Sequence, residues 1–361
     1  MSVVVVTGAG GVLGRRLCVA ALDDPSVEQV VALERPGVET LRPADEGGRL
    51  LVRRHGDDTA SHRRALEGVT PTYLVHLAAE PGPDTDGSGS GGVDLVGTHA
   101  LLGVLDERRR ASGSALEAVV LVSSATVYGA WPDNPVPLTE HAPVRPNPEL
   151  AFAVDKADLE QRVSGWVANG GAGRLAVLRP ALTLSEEQLS WMARSLWQTL
   201  GIRTGASAHP VQFVHADDVA KAIDLARRDD LSGVYNVAPD GWVSADDLQE
   251  LAGTVPRVPL PETAIRRVAE LAWRLTLTST PPGVAVYTRH PWVVSNDRLR
   301  RAGWDPTHDN EEAFVVGSSA GSFLSIDARH RQELGLGIIG AALAGAGVGS
   351  AVLARRLARS N

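Results

Sequence analysis

Three glycines spaced three apart, Gly8, Gly11 and Gly14 in TGAGGVLG, follow directly on the apolar run Val3–Val6 and open a stretch with helical spacing. Glycine is needed where a backbone turns sharply, where main chain approaches a phosphate, and where a helix packs closely on a strand. The chemistry such a turn offers is capture of a pyrophosphate by the N–H groups around Gly11, Val12 and Leu13. Glu34 closes the next apolar run, where a carboxylate accepts hydrogen bonds from an adenosine ribose. Asp57, with Asp58 beside it in RRHGDD, stands where an acidic side chain meets an adenine amino group. Leu77, Ala78 and Ala79 in HLAA leave room for a dinucleotide to lie across strand ends. Together these residues read as an NAD site. Glu34 repels a 2′-phosphate, whereas Arg35 beside it could pair with one, so NADP stays open.

A second chemical signal is a lysine. Of 35 basic residues only Lys156 and Lys221 are lysine; the rest are arginine. A chain that uses arginine for generic positive charge keeps a compact ammonium at 156, four residues after Phe152 and on the same helix face.

These groups need a scaffold that brings strand ends together. The runs EQVVALE, YLVHLAA, AVVLVSS, LAVLRPA and VQFVH are apolar without alternation, as in strands covered on both faces, and polar helical stretches separate them. That rhythm predicts an α/β, Rossmann-like, doubly wound parallel sheet. Glu80–Gly92 is a Gly/Ser/Asp/Pro loop, and from Leu182 the rhythm loosens. The expected organisation is a dinucleotide-binding core over 1–181, a small substrate lobe interleaved with it over 182–315, and a tail over 316–361. DDVAKAIDLARR reads as a helix with Asp217 and Asp218 as its N-cap and first-turn residues, and His215 as a hydrogen-bonded structural histidine.

At 361 residues, 43% hydrophobic and 22% charged, the chain can bury a full core. Its net charge of −8 argues against a nucleic-acid surface. A lone Cys18 excludes an internal disulfide framework and suits a reducing cytoplasm, and the opening MSVVVVTGAGG carries no signal peptide. No metal-ligand spacing stands out. Leu334–Ala354 is uncharged, rich in glycine and alanine, flanked by arginines, and holds a GxxxG pair at Gly345 and Gly349. It reads either as a Gly/Ala helix packing on the protein or a partner subunit, or as a membrane contact.

VTGAGGVLG, the Gly-Asp at 56–57, HLAA, GTHALL, LVSSATVYG, LRPA, FVHADDVA and GVYNVAP occur in order over roughly residues 3–310. The chain thereby resembles the extended short-chain dehydrogenases/reductases of the NAD-dependent epimerase/dehydratase group, with UDP-glucose 4-epimerase-like proteins as the nearest flavour. The resemblance implies an oxidoreductase or isomerase acting on a nucleotide sugar or similar polar substrate, and it leaves a homodimer open. It also implies a catalytic set of a hydroxyl residue, Tyr-x-x-x-Lys and a nearby asparagine. Ser124 falls on the hydroxyl position and Lys156 on the lysine; the tyrosine position is Phe152 and the asparagine position Asp94.

A tyrosinate would take the substrate hydroxyl proton while a lysine ammonium lowers its pKa from about 10. Phe152 keeps the ring and loses the proton, so ordinary turnover by that route is expected to be weakened. Lys156 retains a second family role, hydrogen bonding to the nicotinamide ribose. The alternative is a non-catalytic dinucleotide-binding sensor or scaffold, tethered or not through its tail. Substitute bases to weigh are Tyr128, otherwise a packed structural residue, Asp94, otherwise part of an internal hydrogen-bond network, and Asp155, otherwise a solvated or Arg-paired helix residue. Arg179, at a strand end, is the candidate substrate contact, meeting a phosphate or simply a carboxylate.

Overall fold

The computed structural model describes residues 2–37, 47–77, 93–113, 115–187, 190–200, 209–252 and 280–320, with Arg267, Glu270, Leu271 and Trp273. Ala78 and Ala79, the Glu80–Gly92 loop and the 334–354 segment lie outside the described residues.

The valine run becomes β1 (Ser2–Thr7), an interior strand of a seven-stranded sheet. Its neighbours are β2 (Val27–Glu34) and β4 (Tyr73–His76), both parallel to it. Outward from β2 lies β3 (Leu50–Arg54), and outward from β4 lie β5 (Leu116–Val122), β6 (Ala172–Pro180) and β9 (Gly233–Val237). The order β3-β2-β1-β4-β5-β6-β9 is parallel throughout and reverses direction between β1 and β4. At such a reversal the crossovers leave to opposite faces, opening a crevice at the strand ends.

Successive side chains of a strand point to opposite faces, so an unbroken apolar run feeds two cores. Val4 and Val6 pack with Leu17, Cys18 and Ala21 of α1 (Val12–Asp23) and with Val219 and Ile223 of α6 (Ala216–Arg228). Val5 instead joins Leu101 and Leu105 of α3 (Leu95–Ser112) and Leu159 and Val163 of α4 (Ala151–Ala168). Cys18 is fully enclosed, and burial, with Glu34 nearby, pushes its thiol up to about 12.

One run lies elsewhere than its pattern predicts. VQFVH gives only a three-residue strand, β8 (Phe213–His215), paired with β7 (Leu182–Leu184) in a separate two-stranded sheet. It is short because α6 begins at Ala216, and the seventh place in the main sheet goes to GVYNV. The N-cap of α6 is also not an aspartate. His215 takes it, its Nδ1 accepting from the Asp217 N–H at 3.2 Å, while Asp217 and Asp218 fill the first turn.

Beyond residue 280 the chain folds back on the start of α4. A Cβ at Gly283 would overlap the Glu149 carbonyl, so only glycine permits that approach. Gly283 sits in the 3-10 turn Pro282–Thr288, against which α5 (Trp191–Leu200) also packs. From this turn Tyr287 donates to the Thr126 carbonyl at 2.8 Å, and Trp292 donates to Tyr287 O at 3.0 Å. Among the described residues no helix is long and apolar enough to cross a membrane.

Candidate active site

The glycine turn joins β1 to α1 at the crevice. Gly8 adopts φ +65°, a conformation that side-chain-bearing residues rarely take, and its carbonyl accepts from Gly11 N at 3.1 Å. A Cβ at Gly14 would overlap the Gly8 carbonyl and Ala9, so the third glycine is required for helix and turn to touch. α1 begins at Val12 with Gly11 as N-cap, no side-chain cap and no acidic residue in its first turn. Its leading N–H groups therefore face the crevice without a built-in anion, which is the environment a phosphate needs.

On the β2 side of the crevice Glu34 is buried at the end of its strand. Arg35 next to it pairs with Asp57 and lies 3.4 Å from Asp94, bridging two carboxylates from separate loops. Asp58 caps α2 (Thr59–Ala65), accepting from Ser61 N at 2.9 Å, and that bond holds its carboxyl below the usual range. Asp94 caps α3 in the same way, with Oδ1 2.6 Å from Gly97 N. Thus the residue at the asparagine position serves as a helix cap and an Arg35 partner.

A proton-ordered chain crosses the strand ends. Thr98 donates to the Asp94 carbonyl, so its oxygen accepts from His76 Nε2 at 2.8 Å. The other ring nitrogen, Nδ1, then accepts from Thr7 Oγ1 at 2.9 Å, and Thr7 accepts from Leu77 N at 3.1 Å. Each ring nitrogen and each hydroxyl proton of the chain has one partner. Burial, with the Lys156 charge, pulls the His76 imidazole down to about 3, so it stays neutral.

On the far side, Ser124 follows β5 and accepts from Thr126 N at 3.2 Å and from Thr126 Oγ1 at 2.9 Å. Lys156 is 2% exposed; its Nζ donates to Val122 O at 2.9 Å and Leu77 O at 3.3 Å, the ends of β5 and β4. Burial pulls its ammonium down to about 8, while Glu160 one turn later opposes the shift. The ammonium lies 5.8 Å from the centre of the Phe152 ring. Phe152 is half-buried and meets Trp191 edge-on, ring centres 5.2 Å apart at 84°.

Tyr128 and Arg179 lie deeper. Tyr128 is buried, donates to Asn236 Oδ1 at 2.8 Å, and has the Arg179 guanidinium 4.7 Å above its ring. Burial pushes its phenol above the usual range. Arg179 forms a two-pronged pair with Glu160 at 2.9 and 2.6 Å, both side chains enclosed. Its guanidinium is committed to α4.

The structure thus gathers Ser124, Phe152 and Lys156 at the ends of β4 and β5, and the glycine turn, Glu34, Arg35 and Asp57 around the β1–β2 side. Residue types alone do not point to Trp191 or to the Thr7–His76–Thr98 chain, whose members meet only after folding. Nor does spacing reveal that His215, Asp217 and His308 bring ligand-type atoms within 4.8 Å of one another. There Asp217 is paired with the Arg16 guanidinium, and the two imidazoles stack at 4.0 Å.

A doubly wound parallel sheet with a glycine turn at its reversal point defines a dinucleotide-binding class of α/β protein. The NAD dependent epimerase/dehydratase family model matches residues 4–238, and the chain belongs to that family. An uncharacterized protein of Mycobacterium tuberculosis is 25% identical over 320 residues, covering 86% of this chain and 82% of the relative. One of Sinorhizobium fredii is 24% identical over 325 residues, with 86% and 76% covered. Among solved structures, the Thermus thermophilus UDP-glucose 4-epimerase complex with NAD superposes with TM-score 0.64 at 22% identity, covering 90% of this chain and all of that one (100%). The dTDP-glucose 4,6-dehydratase of Bacillus anthracis, in complex with NAD, gives 0.61 at 15% identity, with 89% and 96% covered. The likeness to both is one of fold.

Proposed function

We propose that the chain binds NAD across the β1/β4 reversal and acts as an epimerase/dehydratase-type oxidoreductase on a nucleotide sugar, with proton transfer weakened at position 152. The glycine turn fits a dinucleotide: Gly8 holds a positive φ and Gly14 leaves space that a Cβ would fill. Related folds carry NAD in the Thermus and Bacillus complexes, and the Thermotoga maritima epimerase, TM-score 0.62, was solved with UDP-glucose. Arg35 is engaged by Asp57 and Asp94, and Glu34 adds a third carboxylate nearby, so the field there favours a free ribose hydroxyl over a 2′-phosphate.

When bound, the nicotinamide supplies hydride acceptance and return. This chain's part is to orient and to handle protons. Lys156 directs its donors along the ends of β4 and β5, where a nicotinamide ribose would add further acceptors. Ser124 supplies a hydroxyl beside them. Phe152, on the same face of α4 as Lys156, offers no exchangeable proton, and a positioned acid/base typically contributes 10²- to 10⁴-fold.

The observation that carries this reading is the pairing of an enclosed Lys156 with a ring at 152 that packs on Trp191. The same packing favours a second reading, a protein that holds the cofactor without turnover. Titration calorimetry with NAD(H) and NADP(H) tests the first step, with tighter binding of NAD expected; no binding of either refutes both readings. Restoring Phe152→Tyr is expected to raise hydride exchange with UDP-glucose by at least 10²-fold. An unchanged rate with cofactor still bound would leave the non-catalytic reading standing.

A further inference from the structure

Arg15 and Arg16 are neighbours near the start of α1 and are used differently. Arg16 is the more enclosed, its side chain 16% exposed. It pairs with Asp217 of α6, donates to Glu187 at 2.9 Å and lies 3.3 Å from Glu186. It clamps α1, α6 and the 186–187 segment together. Arg15 is 39% exposed. Its Nη1 donates to the Gly10 carbonyl at 2.8 Å and its Nη2 to Glu187 Oε2 at 2.7 Å. The first bond lays the guanidinium against the glycine turn. The second fills its outward edge with a carboxylate that is itself 40% exposed.

A pyrophosphate diester is a dianion, and the open N–H groups of α1 would fix it on this turn, beside Arg15. A guanidinium fork accepts phosphate oxygens in the geometry it uses for a carboxylate. An ion pair as exposed as Arg15–Glu187 is weakly held. A dianion that also bonds the helix start therefore displaces a single side-chain carboxylate. We infer that Arg15 is a pyrophosphate-binding residue, and that Glu187 is its internal stand-in, released when a nucleotide diphosphate occupies the turn. Arg16 keeps Glu187 close throughout, so the exchange is local: one anion leaves Arg15 as another arrives. The inference rests on the dinucleotide reading above and adds to it a residue outside the glycine motif and a competitor built into the chain.

Calorimetric titration of the full chain with ADP-ribose and with NAD, in wild type, Arg15→Ala and Glu187→Gln, tests it. Adenosine, which has no phosphate, is the control. Arg15→Ala is expected to weaken both diphosphates about 10-fold, as loss of a charge-assisted contact does. Glu187→Gln is expected to tighten both about 3-fold or more, and neither change should move adenosine. Glu187→Gln that binds no better, Arg15→Ala that binds as well as wild type, or adenosine shifting in parallel would overturn the assignment. If ADP-ribose follows the pattern and NAD does not bind, the nicotinamide reading fails and Arg15 keeps its role. If all three proteins bind NAD equally, the reading stands and Arg15 loses its role; if wild type binds neither diphosphate, both fall.

Discussion

Burying the Lys156 ammonium makes the free protein's stability depend on alkaline pH, with a sign opposite to that of an ion-paired lysine, whose pKa is raised. Its pKa falls from 10.5 to about 8 because desolvation outweighs the pull of Glu160, which is itself committed to Arg179. Between those values the unfolded chain holds a proton that the folded chain has released, so stability rises with pH across the window. The cost of the charged form is fully present below about pH 8 and gone above 10.5. At 1.36 kcal/mol per pKa unit it amounts to ~3 kcal/mol. Lys156→Met keeps the apolar stem and removes the titration. Urea unfolding of both proteins at pH 7, 8, 9 and 10 isolates it, because other titrations cancel in the difference. The wild type should gain roughly 2–3 kcal/mol on the variant between pH 7 and 10. A flat difference would show that the ammonium is hydrated or better compensated than its two carbonyl partners allow. The linked expectation is that NAD binding, which adds acceptors to the charged form, weakens above pH 8 in wild type.

Two further outcomes follow from enclosed contacts. Glu160→Gln strands the Arg179 guanidinium in the core and should cost about 3–5 kcal/mol in urea unfolding, whereas Glu160→Leu with Arg179→Met should recover much of that loss. Asp94→Ala removes the cap at Gly97 N and one partner of Arg35; a loss of ~1 kcal/mol in unfolding is expected, with cofactor affinity read separately by calorimetry.

The parts of this molecule that were legible beforehand are those where one stretch of chain determines its own conformation. Val3–Val6 and the glycines at 8, 11 and 14 specify strand, turn and helix within fourteen residues, and the structure places all three. VQFVH misled because an apolar run does not say which strand it will meet; its partner, Leu182–Leu184, is distant in sequence. Lys156 could be singled out by its rarity, but its partners are carbonyls of two other strands, and carbonyls leave no mark in a sequence. Arg179, for which a phosphate or a carboxylate was open, meets a carboxylate, but that partner sits on a helix 19 residues earlier and no local pattern singles it out. Polar side chains with distant partners leave no local pattern in the sequence.

The fit of Gly283 against Glu149 and the Tyr287 bond to Thr126 have an evolutionary side. They press the chain after residue 280 onto two places at once: the residues just before α4, and the loop beside Ser124. The segment after residue 280 and the helix carrying Phe152 and Lys156 therefore cannot drift independently. A bulkier residue at 283 demands a compensating shift at 149–150, two residues before position 152. Swapping this C-terminal portion between family members should succeed only when the 124–128 loop and residues 149–152 travel with it, because the inheritable unit is the contact and not either stretch of sequence.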